Sequence, residues 1–149
     1  MSILQSLASE WAAQIVCAVA DVNEDGAAGT YTVKVPLPEN TLLLNVIWSN
    51  DVLWGAGTSA TLNVGDDTDA ALFMNAVDVK AGPAAGRSLT PAQGEGSMLF
   101  ADVAPGFYPD GGNVIAEVVT VGADSSLGRS HLTVIYAVMP PIHPVAVKV

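Results

Sequence analysis

A single antiparallel β-sandwich, with a jelly roll as the leading topology, is the all-β fold this sequence predicts, and three observations predict it. Several segments alternate with period two: Tyr31, Val33 and Val35 against Thr30, Thr32 and Lys34; Ala60, Leu62 and Val64 against Thr61 and Asn63; Leu132, Val134, Tyr136 and Val138 against Thr133, Ile135 and Ala137. Gly, Pro, Asn and Asp clusters punctuate about eight such short segments, as in all-β domains. No internal repeat or domain linker interrupts them. An immunoglobulin-like sandwich is the alternative, without the usual cysteine pair, because Cys17 is the single cysteine.

Three parts follow: an N-terminal arm or short helix over 1–11, a sandwich over 12–138 and an extended tail over 139–149. In MSILQSLASEW the apolar residues Ile3, Leu4, Leu7 and Trp11 fall at helical spacing. Such a segment either packs on its own subunit or docks on a neighbour. A first strand is expected over Gln14 to Val22, closed by DVNEDGAAG, and a second over Thr30 to Val35, ended by Pro36 and Pro38. Thr41 to Ser49 is apolar on both faces and reads as a central, covered strand.

The stretch Thr58 to Gly82 reads as a corner: a strand over Ser59 to Val64, a break at Gly65, an acidic turn, and a further strand over Ala71 to Val79. Lys80 to Gly96 has loop composition without periodicity. Strands are then expected over Ser97 to Val103, Asn113 to Val121 and His131 to Val138. The tail carries Pro140, Pro141, Ile142, His143 and Pro144 and suits an extended conformation.

Composition narrows the function classes. Fifteen acidic residues against five basic ones give a net charge of −10, and the scattered Lys and Arg offer nothing for phosphate, so nucleic acid is not an expected partner. Half the residues are apolar, yet no window holds the uninterrupted run of about 18 to 20 that a membrane helix requires, so no membrane partner is expected either. The apolar excess suits a subunit interface. No Lys or Arg precedes Lys34 and no signal-peptide pattern is visible, so secretion by that route is not expected. Cys17, inside IVCAVADV, reads as a buried, inert thiol.

Chemistry-bearing motifs are weak. Asp21, Asn23, Asp25 and Gly26 match the first half of a calcium loop, but Thr32 stands where a bidentate Glu is required, and both flanks read as strands. Asp66, Asp67 and Asp69 suit a turn or the N-cap of a short helix at ALFM better than a cation site. His131 and His143 lie in no nucleophile motif, G-x-S-x-G is absent, and both read as structural or surface histidines. Neither a cofactor nor an enzymatic activity is expected. Trp48, Phe100 and Tyr136 read as core, whereas Trp54, Phe107 and Tyr108 fall in loops and suit an interface or a sugar platform.

Three segments, LPENTLLLNVIWSND at 37–51, SATLNVGDDTDAALFMNAVDVKAG at 59–82 and EVVTVGADSSLGRSHLTVIYAV at 117–138, resemble small virion proteins of tailed bacteriophages. The similarity spans roughly residues 30 to 138 and rests on sandwich patterns, so no functional side chain carries over with it. It implies a capsid decoration, or cement, protein on the outer surface of the head, made in the host cytoplasm, often trimeric, with the major capsid protein as partner. Fibre and tail modules share comparable sandwiches. The arm at Ile3 to Trp11 and the tail at Met139 to Val149 lie outside the pattern and suit the clamping of neighbouring subunits.

Overall fold

The computed structural model of the chain describes residues 14–80, 106–123 and 128–140, together with the backbone of 88–89. The expected helix over 1–11, the strand over 97–103, Phe100 and the tail beyond Pro140 lie outside these residues.

Two antiparallel sheets face each other and form the sandwich. Sheet A carries β1 (Gln14–Asn23), β9 (Arg129–Val138) and β3 (Thr41–Val52), with the short segments β6 (Ser88–Leu89) and β7 (Phe107–Tyr108) along the other side of β3. Sheet B is ordered β2 (Gly29–Leu37), β8 (Gly112–Val121), β4 (Ser59–Asp66) and β5 (Met74–Asp78). The pairings are nested: β1 with β9, β2 with β8, β3 with β6 and β7, β4 with β5. The chain thus doubles back on itself as one long hairpin, with the Thr58 to Gly82 corner at its tip. Rolling that hairpin up adds the β3·β9 and β4·β8 ladders.

Period two decides what is buried. Val22, Val35, Val46, Trp48, Leu62, Val64, Val114, Val118, Leu132 and Val134 point between the sheets and form the core. The strand at β2 runs on through Pro36 to Leu37, beyond the expected end. The reason is position: β2 is an edge strand, where a missing backbone N–H breaks no second ladder.

The corner is closed by side chains without a helix, so of the two expectations for the acidic cluster the turn holds and the short helix at ALFM does not form. Asp66 Oδ1 accepts from Thr68 N (2.8 Å), Thr68 Oγ1 (2.6 Å) and Asp69 N (3.0 Å), while Phe73 N donates to Val64 O (2.8 Å) and returns the chain to the sheet. Gly65 makes this possible. A Cβ there would sit 1.8 Å from Asp69 O and 2.5 Å from Ala70 C, both backbone atoms. The following strand consequently begins at Met74, later than Ala71.

Candidate functional site

The ends of the sandwich differ, and each holds a polar network that secures the strands. At the Tyr108 end, the Tyr108 hydroxyl donates to Asp66 Oδ2 at 3.0 Å, and Asn113 Nδ2 donates to both oxygens of Asp67 at 3.0 Å. Burial pushes the Asp66 carboxyl up, but the hydrogen bonds it accepts from Thr68, Asp69 and Tyr108 outweigh that and hold it below the usual carboxylate range. Burial first, and then the adjacent Asp66 carboxylate, raises the Tyr108 phenol.

At the opposite end, the Trp54 indole N–H donates to Ser130 Oγ (2.8 Å), the Ser130 hydroxyl donates to Asn50 Oδ1 (2.7 Å), and the Trp48 indole N–H donates to the same oxygen (2.8 Å). Buried Glu24 accepts from the Gly55 and Gly128 amides, both at 3.0 Å, and so ties three connections together.

These networks relocate several residues singled out in the sequence. Trp54 is buried at 1% exposure, with Tyr31 edge-on to its ring at 5.2 Å, and it offers no surface to a ligand. Its chemistry explains why: the indole N–H finds an internal partner, so the ring buries at no polar cost. Tyr108 is half-buried, and Phe107 is 38% exposed on the outer side of β7. Trp54 follows the far end of β3, whereas Phe107 and Tyr108 pair with its first residues, Leu42 and Thr41. The three aromatics therefore form no common platform.

The acidic clusters do not converge either. Asp25 Oδ1 accepts from the Tyr31 hydroxyl (2.5 Å) and the Ala27 amide (2.9 Å), an ordinary turn arrangement, and the Tyr31 bond lowers the Asp25 carboxyl. Asp69 Oδ1 accepts from Ala71 N, and Asp21 faces His131. Among the described residues no group of three or more His, Cys, Asp or Glu is arranged to hold a metal ion, and no helix is long and apolar enough to cross a membrane.

What the sandwich does present is an outward face unlike its opposite. On sheet A, the register sets Ile15, Ala137, Leu42 and Phe107 in one row, Cys17, Ile135 and Asn45 in the next, and Val19, Thr133 and Ile47 in a third. Ile15 is 69% and Val19 58% exposed. Cys17 lies exposed between them, which corrects the expectation of a buried thiol. Val16, Ala18, Ala20 and Val22 take the inward parity of β1, so Cys17 must face out. The outward positions of sheet B are more polar: Thr30, Thr32, Lys34, Asn113, Glu117, Thr61 and Asn63, with Ile115, Val119 and Val121 among them. Among the described residues β1 pairs with β9 alone in sheet A, so these apolar rows lie beside a sheet edge.

Gln14, the first described residue, pairs with Val138 on the adjacent strand, next to the Ile15 row. Ile3, Leu4, Leu7 and Trp11, and Pro141, Ile142, His143 and Pro144, lie outside the described residues; Pro140 follows Met139, whose amide donates to Asn40 O at 2.8 Å.

No family model and no curated protein matches the chain. Two solved structures share its fold. One is a chain of the cyanophage Pam1 capsid asymmetric unit, with TM-score 0.59, 22% identity, and coverage of 85% of this chain and 86% of that chain. The other is a chain of the acidic stable capsid structure of Helicobacter pylori bacteriophage KHP30, with TM-score 0.51, 18% identity, and coverage of 85% and 93%. In both, nearly the whole of the matched chain is superposed, so the likeness is between chains of similar size.

Proposed function

We propose that this chain is a non-enzymatic structural protein of a phage virion, a decoration or cement protein that binds the outside of the capsid and bridges neighbouring major capsid protein subunits. The observation that carries this reading is the likeness, over 85% of this chain, to a chain of a capsid asymmetric unit. A chain of 149 residues that folds as one sandwich suits an accessory subunit. We read the nested strand pairing as a jelly roll, an architecture common to capsid and lectin domains. Fold alone assigns no role. The outer face of sheet A adds the site: an apolar surface with Gln14 and Val138, the paired outer ends of β1 and β9, beside it suits burial against a neighbour.

In this reading the arm over 1–11 and the tail over 139–149 extend the contact, with Ile3, Leu4, Leu7, Trp11 and the segment from Pro140 to Pro144 as contact residues, and the subunit works as a homotrimer. Deleting residues 1–11 or 140–149 is expected to weaken capsid binding or trimer formation while thermal unfolding of the sandwich persists. Cosedimentation with capsid shells and mass in solution check this; wild-type binding by both truncations contradicts the role of the arms. A carbohydrate-binding module of a fibre or tail is not favoured, because its platform of Trp54, Phe107 and Tyr108 is dispersed by the fold.

A further inference from the structure

At the Trp54 end of the same outer face, the apolar rows give way to charge. The β1·β9·β3 register places Asp21, His131 and Ser49 side by side, and a register shift between Asn50 and Val52 brings the Asp51 side chain over the row. His131 Nδ1 lies 2.7 Å from Asp21 Oδ1, and Nε2 lies 2.5 Å from Asp51 Oδ2. We propose that Asp21, His131 and Asp51 form a proton-operated clamp that fastens edge strand β1 to β3 across β9 when the imidazole is doubly protonated, and loosens β1 when it is not.

Donors and acceptors decide which protonation state fits. A neutral imidazole has one N–H and one lone pair, so it satisfies one carboxylate and turns a lone pair toward the other. The imidazolium donates to both. Both contacts are short, so the geometry fits the charged form. The two carboxylates come from strands on either side of β9, so each hydrogen bond crosses a strand boundary. β1 has no neighbour in sheet A other than β9, and the clamp is its one side-chain ion-pair link to that sheet among the described residues.

Among the described residues the charged side chains paired with the ring are Asp21 and Asp51. The cleft of about 420 Å³ at this site is lined by Asp21, Asn23, Glu24, Asp51, Gly128, Arg129 and His131. Glu24 directs its carboxylate to the Gly55 and Gly128 amides, leaving the two aspartates as the partners of the ring. Asn23 of β1 and Arg129 of β9 also line the cleft, and Ser49 of β3 stands opposite His131 in the register; of these only Arg129 is charged. The hydrogen bonds to Asp21 and then to Asp51 raise the His131 imidazole above its ordinary value, against the opposing effect of burial. A raised value in the folded state means the clamp is fully formed below about 6.5, the ordinary imidazole value, and is lost as pH rises through the raised one.

Because β1 carries Ile15, Cys17 and Val19, the same proton also sets how firmly the proposed docking face is held, a consequence that rests on that reading. The clamp itself does not, and the test separates the two. Hydrogen exchange of the amides over residues 15–22, expressed as protection factors, is measured on the full chain at pH 5.5 and 8.5. Wild type should show about three- to tenfold greater protection at the lower pH, the effect of two partly exposed ion pairs. His131→Asn should abolish that difference, and Asp51→Asn should reduce it. Equal protection at both pH values in wild type, or an unchanged difference in His131→Asn, overturns the clamp. If exchange responds as expected but capsid-shell binding is the same at both pH values, the clamp stands and its link to docking falls.

Discussion

Replacing Ile15 and Val19 together by lysine is expected to lower affinity for capsid shells by at least about a hundredfold, while stability changes by no more than about 0.5 kcal/mol. The two halves of this expectation have separate causes. Both side chains point away from the core, at 69% and 58% exposure, so the folded chain loses no packing when they change. If the face is buried on a neighbour, however, two ammonium groups must be desolvated there without partners. Each unpaired charge costs several kcal/mol, and every 1.4 kcal/mol is tenfold in affinity. Thr30→Lys with Thr32→Lys, on the polar outer face of sheet B, is the matched control and should bind as wild type does. Equal losses from both pairs, read by cosedimentation, would show a general charge effect and contradict the assignment of the face.

Trp54→Ala should instead act on the fold, destabilising the sandwich by about 3 to 5 kcal/mol in chemical denaturation. Three losses combine. The indole is fully buried, so its removal leaves a large cavity. It packs against Gly128 so closely that a Cβ there would lie 2.8 Å from the ring, and collapse around the missing side chain has little slack to use. Its N–H also anchors the Ser130 and Asn50 network, in which the Asn50 Nδ2 is already buried without a partner among the described residues. Trp54→Phe should recover part of the loss, because it fills most of the volume without the hydrogen bond. A loss below about 1 kcal/mol for Trp54→Ala would mean the residue is not the internal anchor described above.

Much of the architecture was legible in the sequence because period two survives wherever one face of a strand is buried. Tyr31, Val33 and Val35, Ala60, Leu62 and Val64, and Leu132, Val134 and Tyr136 alternate in the sequence and in the fold alike. Less legible was anything that depends on which strand lies beside which. Pro36 looks like a terminator until β2 is known to be an edge. Cys17 looks buried in IVCAVADV because the run is apolar on both faces; parity fixes only that Cys17 and Val16 differ, and the partner sheet decides which one faces out. Trp54, in a Gly-rich connection, carries no local sign that Ser130, far along the chain, will accept its N–H.

The charged end of the face was missed for the same reason. Within its own segment Asp21 belongs to a half-matched calcium loop and His131 reads as a structural or surface histidine. They meet because β1 and β9 pair with Asp21 opposite His131, and Asp51 joins them through a local irregularity in β3. The sequence does hold one usable signal: Asp21 and His131 both take outward parity on their strands. Only the strand order turns that parity into proximity.

The central claim is that the outer face of sheet A is covered in the virion, and the chain's single cysteine tests it most directly. Cys17 sits exposed in the middle of that face, between Ile15 and Val19. Maleimide labelling should be rapid in the free chain and strongly suppressed once the chain is bound to capsid shells. Labelling at the same rate in both states would contradict the account.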